Sequence, residues 1–166
     1  MAGRILKDMK RYVRLHLPAG DFFLAEENGA LTNAGFMLSE SDLGIKETTP
    51  LLKEALAQLT AYFDGRLFEF DLPLALKGTE FQTKVWNALK RIPYARTRTY
   101  AEIAEETGNK NAARAVGNAN NKNPIAVIIP CHRVIGANGT LTGYAAGLDI
   151  KRFLLNLEQR FKNDVR

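Results

Sequence analysis

The most reactive side chain in the sequence occurs once. Cys131 follows the run Asn123-Pro124-Ile125-Ala126-Val127-Ile128-Ile129-Pro130 and precedes His132, Arg133 and Val134. The thiolate is the nucleophilic form of cysteine, and a neighbouring imidazole or cation is what lowers a thiol's pKa. His132 and Arg133 offer both on one short turn. A lone cysteine is ordinarily a small buried hydrophobe, so it is the surrounding string that marks this one as reactive. An apolar, strand-like stretch stops at Pro130 and delivers the thiol with an imidazole beside it. One cysteine cannot form an internal disulfide, and with two histidines in the chain neither a metal site nor a cofactor is expected.

The elements that must position this thiol are legible on both sides of it. Thr79-Glu80-Phe81-Gln82 is a capping box ahead of a helix whose inward face is Phe81, Val85, Trp86 and Leu89, stopped by Ile92-Pro93-Tyr94. Thr99-Tyr100-Ala101-Glu102 is a second capping box, opening a short helix closed by Gly108. Ala112 to Ala119 forms a helix of mostly small residues, and two short helices joined by about four residues read as a helix-turn-helix. Gly139-Thr140-Leu141-Thr142-Gly143-Tyr144 reads as a small hairpin or wing. A last amphipathic helix runs from about Asp149 through Phe153, Leu154 and Leu157 to Glu158.

The first half is different in kind. Tyr12 to Leu17, Asp21 to Glu27 and Ala30 to Met37 form a strand meander with a hairpin turn at Asn28-Gly29. Thr49-Pro50 supplies an N-cap and a first-turn proline for a helix carrying Leu51, Leu52, Ala55, Leu56, Leu59 and Phe63, ended by Gly65. Phe68 to Leu72 alternates like a further strand. The fold class is therefore α+β, divided at residues 1–76 and 77–166.

Charge follows the same division. Residues 1–76 hold 8 Lys+Arg against 11 Asp+Glu, a net of −3; residues 77–166 hold 15 against 7, a net of +8. The excess gathers in the half that carries Cys131, as a polyanionic partner requires. Along the small-residue helix Gly117 removes even a methyl, so backbone can approach a surface closely. Arg114 rises from it like a probe into a nucleic-acid groove. No apolar run approaches the length of a membrane span. Met1 to Lys10 breaks each apolar stretch with a charge, so no secretory signal, and a cytoplasmic location, are expected.

The string Pro130-Cys131-His132-Arg133-Val134 after Asn123-Pro124 resembles the active-site loop of the 6-O-alkylguanine-DNA alkyltransferases, the methylated-DNA–protein-cysteine methyltransferases. Gly78-Thr79, Phe81-Gln82, Val85-Trp86, Leu89, Ile92-Pro93-Tyr94, Thr97, Thr99-Tyr100, Arg114-Ala115-Val116-Gly117, Gly143-Tyr144, Gly147-Leu148 and Leu154-Leu155 with Glu158 extend the resemblance. It implies a small ribonuclease-H-like α/β domain over residues 1–76, and a helical winged helix-turn-helix domain over 77–166 that carries the site. Three positions depart from the pattern: Ala95 and Ala146 stand where glycine is usual, and Ala126 where some relatives carry proline.

The resemblance also implies roles. Cys131 would accept the alkyl group, His132 would take its proton through a water, and Glu158 would orient and charge-balance His132. Tyr100 would press on the DNA backbone and protonate the leaving guanine. Arg114 would fill the gap left by a flipped nucleotide, on a helix whose Ala115 and Gly117 meet the minor groove. Asn123 would turn the chain from the helix-turn-helix into the active-site loop. The carbonyls of Cys131 and Val134, the Tyr144 wall and the Ala145 amide would line the base pocket. The implied partner is double-stranded DNA containing 6-O-alkylguanine, met by a monomer without cofactor or metal. Three other functions compete: an alkyltransferase-like protein that binds lesions without chemistry, a transcriptional regulator using only the helix-turn-helix, and a cysteine hydrolase.

Overall fold

The computed structural model describes residues 9–165; the reading of Met1 to Asp8 as lacking a secretory signal lies outside them. The chain divides into two compact units, one ending at Leu76 and the other beginning at Lys77.

The first unit is built on a four-stranded sheet: β1 (Arg11–Leu17), β2 (Gly20–Glu27), β3 (Ala30–Phe36) and β4 (Ile45–Lys46), in the order β3-β2-β1-β4. The first three strands are an antiparallel meander, and β4 pairs parallel to β1. Asn28 and Gly29 both take positive φ, 54° and 79°, which is what a two-residue turn matching strand twist requires. Helix α1 (Pro50–Phe63) begins where Thr49 accepts the Leu52 amide at 3.1 Å, with Pro50 in its first turn. Its buried face is Leu52, Ala55, Leu59 and Tyr62. Phe22 lies edge-on to Phe36 and Phe63, at 4.9 and 6.2 Å between ring centres.

The alternating segment Phe68–Leu72 is not a strand. The Gln58 carboxamide takes both backbone groups of Asp71, donating to its carbonyl and accepting from its amide at 3.0 Å each. Only Leu74 reaches the sheet, as an isolated bridge to Leu31.

The second unit is helical: α2 (Glu80–Lys90), α3 (Tyr100–Glu106), α4 (Ala113–Asn121) and α5 (Leu148–Phe161), with a two-residue parallel pair, β5 (Arg98–Thr99) and β6 (Val134–Ile135). Both capping boxes are formed, Thr79 with Gln82 and Thr99 with Glu102. Val85, Trp86, Ala88 and Leu89 are the buried face of α2, while Phe81 is half-buried. A Cβ on Gly78 would lie 2.6 Å from the Trp86 ring, so only glycine fits ahead of the capping box. The Trp86 indole N–H donates to the Ala119 carbonyl at 2.9 Å and ties α2 to α4. Helices α3 and α4 are the two short helices expected, joined by residues 107–112, a link longer by two residues than the spacing suggested.

Two sequence expectations fail in this unit. Ile125–Ile129 is not an extended strand but a pair of tight turns, with Ile128 N donating to Ala126 O at 2.9 Å and Ile129 N to Ile125 O at 3.0 Å. Burial still alternates, since Ile125, Val127 and Ile129 face the core. Asn123, however, accepts from the Ile125 amide at 3.0 Å and donates to the Ile129 carbonyl at 2.8 Å, replacing a neighbouring strand. Val127 then takes φ of 72° at the centre of a γ-turn, a rare conformation for a β-branched residue. The wing is also absent as a hairpin: Ala137–Gly139 is a 3-10 turn and Thr140–Tyr144 has no strand partner.

Candidate active site

Cys131, His132 and Arg133 form a single 3-10 turn at the end of this folded loop, between Pro130 and β6. The turn is closed by the Cys131 amide donating to the Ile129 carbonyl at 2.8 Å across Pro130, and by the Arg133 amide donating to the Pro130 carbonyl at 3.0 Å. Cys131 is only 4 % exposed and His132 not at all. Burial raises the Cys131 pKa, and the side chains of Asn123 and Tyr144 and the charge of Lys151 pull it back.

His132 Nε2 and Glu158 Oε2 lie 2.7 Å apart, fully buried. The other ring nitrogen, Nδ1, has no hydrogen-bond partner among the described residues. Burial lowers the His132 pKa, Glu158 opposes that shift, and Arg133 and Lys151 reinforce it. An imidazole in this state has one nitrogen tied to a carboxylate and the other free to receive a proton. Helix α5 supplies the carboxylate from its buried face, where Lys151, Leu154 and Glu158 fall in one stripe.

Arg133 does not serve the thiol as its place in sequence suggests. Its guanidinium forks onto Glu158, Nε to Oε1 at 2.8 Å and Nη2 to Oε2 at 2.9 Å, and Nη1 reaches the Ile92 carbonyl at 2.7 Å. It also lies over the Tyr94 ring. Glu158 Oε1 takes a further bond from the Ala95 amide at 3.2 Å. Burial alone would raise the Glu158 pKa, but His132 and Arg133 hold it far below the usual carboxylate range. Ala95 sits at φ of 59°, the left-handed region that favours glycine, while its amide and carbonyl bind Glu158 and Gln159.

The cation that acts on Cys131 is Lys151, which the sequence reading missed. It is completely buried. Its Nζ donates to the carbonyls of Val134 at 2.5 Å and Thr142 at 2.9 Å, with Gly143 O at 3.4 Å and Tyr100 Oη at 3.5 Å. Burial lowers its pKa to about 8, opposed by Cys131. The available signal was a charged residue seven positions before Glu158 on the apolar stripe of an amphipathic helix. Tyr100 donates to Thr142 O at 2.8 Å, and burial raises its pKa. The Tyr144 hydroxyl is buried and has no satisfied hydrogen bond among the described residues, and burial and then Cys131 raise its pKa well above the ordinary value.

The structure thus gathers Cys131, His132, Glu158, Asn123 and Tyr144 into one cluster, with Tyr100 joined to it through Lys151. Val134 is buried with its carbonyl on Lys151, while Ala145 is exposed on the loop before α5. Arg114 and Ala115 stand on the exposed face of α4, Gly117 is half-buried against Tyr100, and Val116, Ala119 and Asn120 face inward. Among the described residues, no group of three or more His, Cys, Asp or Glu is arranged to hold a metal ion. Among the same described residues, no helix is long and apolar enough to cross a membrane.

Comparison with known proteins matches residues 80–160 to the 6-O-methylguanine DNA methyltransferase, DNA binding domain, and residues 10–76 to the ribonuclease-like domain of the same family. A methylated-DNA–protein-cysteine methyltransferase of Methanosarcina acetivorans is 55% identical over 151 residues, 89% of this chain and 97% of the relative. The chain belongs to the methylated-DNA–protein-cysteine methyltransferase family. A constitutive member from Bacillus subtilis is 47% identical, over 91% of this chain and 96% of its own. Among solved structures, Mycobacterium tuberculosis OGT in complex with DNA superposes with a TM-score of 0.85 at 47% identity, covering 91% of this chain and 94% of that one. Family membership accounts for the mixed α/β architecture, a small sheet unit followed by a helical one.

Proposed function

We propose that this protein repairs DNA by transferring an alkyl group, methyl above all, from the 6-oxygen of guanine to Cys131, once per molecule. The observation that carries this reading is a buried thiol set beside a buried His132–Glu158 pair, in the unit that also exposes Arg114. Cys131 loses its proton toward the free nitrogen of His132, and the sulfur attacks the alkyl carbon in line with the carbon–oxygen bond. That bond's electron pair leaves with the guanine, which takes a proton from Tyr100. The product is a thioether, which hydrolysis does not reverse.

Helix α4 would enter the minor groove, with Arg114 filling the stack behind a flipped nucleotide. Double-stranded DNA is the partner, and a reducing, cytoplasmic compartment suits the free thiol. Relatives named for the same activity at about half identity support the reading. The lesion-binding alternative without chemistry is disfavoured by Cys131 itself.

Intact-mass measurement after incubation with an O6-methylguanine duplex is the test. One added methylene per chain, absent in Cys131→Ser, is the expected result. Multiple turnovers on excess substrate, or no mass change, would overturn it.

A further inference from the structure

Helix α4 ends in a run rich in asparagine, and the three side chains have different surroundings. Asn120 is buried, and its Nδ2 donates to the Cys131 carbonyl at 3.2 Å. Asn118 and Asn121 are exposed, and neither carboxamide hydrogen-bonds to another described residue. Helix stability does not account for them, because asparagine is a poorer helix former than alanine and competes for backbone hydrogen bonds. Their placement sets them apart from ordinary surface residues. With Arg114 they occupy positions i, i+4 and i+7, which share one face of a helix. Val116, Ala119 and Asn120 hold the buried face.

The exposed row leads to the active site. A Cβ on Gly143 would lie 3.5 Å from Asn121 Nδ2, 3.7 Å from its Oδ1 and 3.7 Å from the Tyr100 hydroxyl, so Asn121 and Tyr100 flank the same stretch of backbone. The next residue, Tyr144, acts on the Cys131 thiol. Arg114 and Asn121 are separated by about 10 Å of helix, at roughly 1.5 Å per residue. The row therefore runs from the side chain assigned to the gap in the stack to the edge of the Cys131 cluster.

The minor groove offers few signals. A·T and T·A pairs show only acceptors there, and G·C adds the guanine 2-amino donor. In guanine that donor adjoins the N3 acceptor. A carboxamide carries an acceptor and a donor side by side, so it matches guanine at two points and adenine or thymine at one. Asparagine is among the residues that read this groove. Ala115 and Gly117, on the same helix, have no polar side-chain atom with which to do so.

We propose that Asn118 and Asn121 are specificity-determining residues that read the minor-groove edge of the base pairs adjoining the lesion and favour G·C neighbours over A·T. The proposal rests on the placement of α4 in the minor groove given above. Selection by neighbouring sequence is separate from recognition of the extruded base and from the chemistry at Cys131.

The test uses matched duplexes with O6-methylguanine flanked on both sides by G·C, by hypoxanthine·C or by A·T pairs. Hypoxanthine differs from guanine only in lacking the 2-amino group, so the second duplex deletes the minor-groove donor and leaves the major groove unchanged. Fluorescence anisotropy gives affinity, and single-turnover kinetics give the repair rate, for the full-length protein, Asn118→Ala, Asn121→Ala and the double variant. The unsubstituted protein should bind the G·C-flanked duplex about ten-fold more tightly than either of the others, and the double variant should lose that preference. Differences in duplex stability act on every protein alike, so the change in preference between proteins reports the contact. Iodoacetamide reactivity of Cys131 should be the same in all of them. No preference in the unsubstituted protein, or the same preference in the double variant, would overturn the role of the asparagines. An Arg114→Ala protein that repairs methylated duplex as fast as the unsubstituted one would instead overturn the placement of α4 in the groove.

Discussion

Replacing Gly117 by alanine should make the protein more stable and worse at repair. Gly117 lies in the interior of α4, where glycine costs about 0.5–1 kcal/mol relative to alanine. A Cβ placed there would meet the Tyr100 ring at 3.8 Å, ordinary van der Waals contact, so the fold accepts the methyl without a shift. Two ring carbons at that distance add a few tenths of a kcal/mol at most. The net gain is about 1 kcal/mol, or roughly 4–8 °C in the unfolding midpoint of a domain this size. The same methyl enters a helix whose Arg114 and Ala115 are exposed, the helix proposed above to enter the minor groove. An extra methyl in a close-fitting contact costs about 1–3 kcal/mol, roughly ten- to a hundred-fold in affinity. Urea titration measures the first effect, and fluorescence anisotropy on a methylated duplex measures the second. A destabilised Gly117→Ala protein would mean that the fold requires the glycine. A stabilised one with unchanged DNA affinity would mean that α4 does not approach the duplex closely.

Glu158→Gln should lower stability by about 3–5 kcal/mol, because it leaves Arg133 buried without its carboxylate. It should also slow thiolate formation at Cys131, seen as reduced iodoacetamide reactivity in the folded fraction. Since Glu158 is held below its unfolded pKa, its contribution is present above about pH 4.3 and fades as pH falls; acid titration of Glu158→Gln should lack that component. Lys151 is shifted in the same direction, but in a higher pH window. With a folded pKa of about 8 against about 10.5 unfolded, stability should rise between those values, by on the order of 3 kcal/mol, and Lys151→Met should abolish the rise measured from pH 8 to 9.5. Arg114→Ala should slow repair of methylated duplex by about ten- to a hundred-fold while sparing reaction with the free modified base, which needs no extrusion. Equal losses on both would make Arg114 a packing residue.

What the sequence disclosed and what it hid have the same physical root. Capping boxes at Thr79 and Thr99, the Asn28-Gly29 turn and the Thr49-Pro50 start are local devices, and each sits where its pattern placed it. The two extended segments that the sequence pattern promised but the fold lacks, the alternating Phe68–Leu72 and the apolar run Ile125–Ile129, each have backbone groups taken by a single carboxamide. Gln58 and Asn123 satisfy the backbone groups that a neighbouring strand would have taken. No periodicity records a distant side chain bonding to backbone. Cys131, His132 and Glu158 were legible because their spacing carries a family pattern. Lys151 and Asn120 were not, since both look like ordinary polar positions until burial leaves them facing carbonyls. Arg133 was legible as a charge but not in its direction, because the partner that captures it lies 25 positions away.

The bond from the Cys131 amide to the Ile129 carbonyl has a consequence for how long an unreacted molecule lasts. Acyl transfer to a cysteine is speeded by backbone N–H groups that receive the negative oxygen of the tetrahedral adduct, and the nucleophile's own amide is a natural donor. In this turn that amide is already engaged at 2.8 Å. Thioesters and activated esters therefore gain no help from it, whereas displacement at a saturated carbon builds no such oxygen and loses nothing. A reagent that works once is guarded, by one backbone bond, from depletion by the acyl donors of ordinary metabolism.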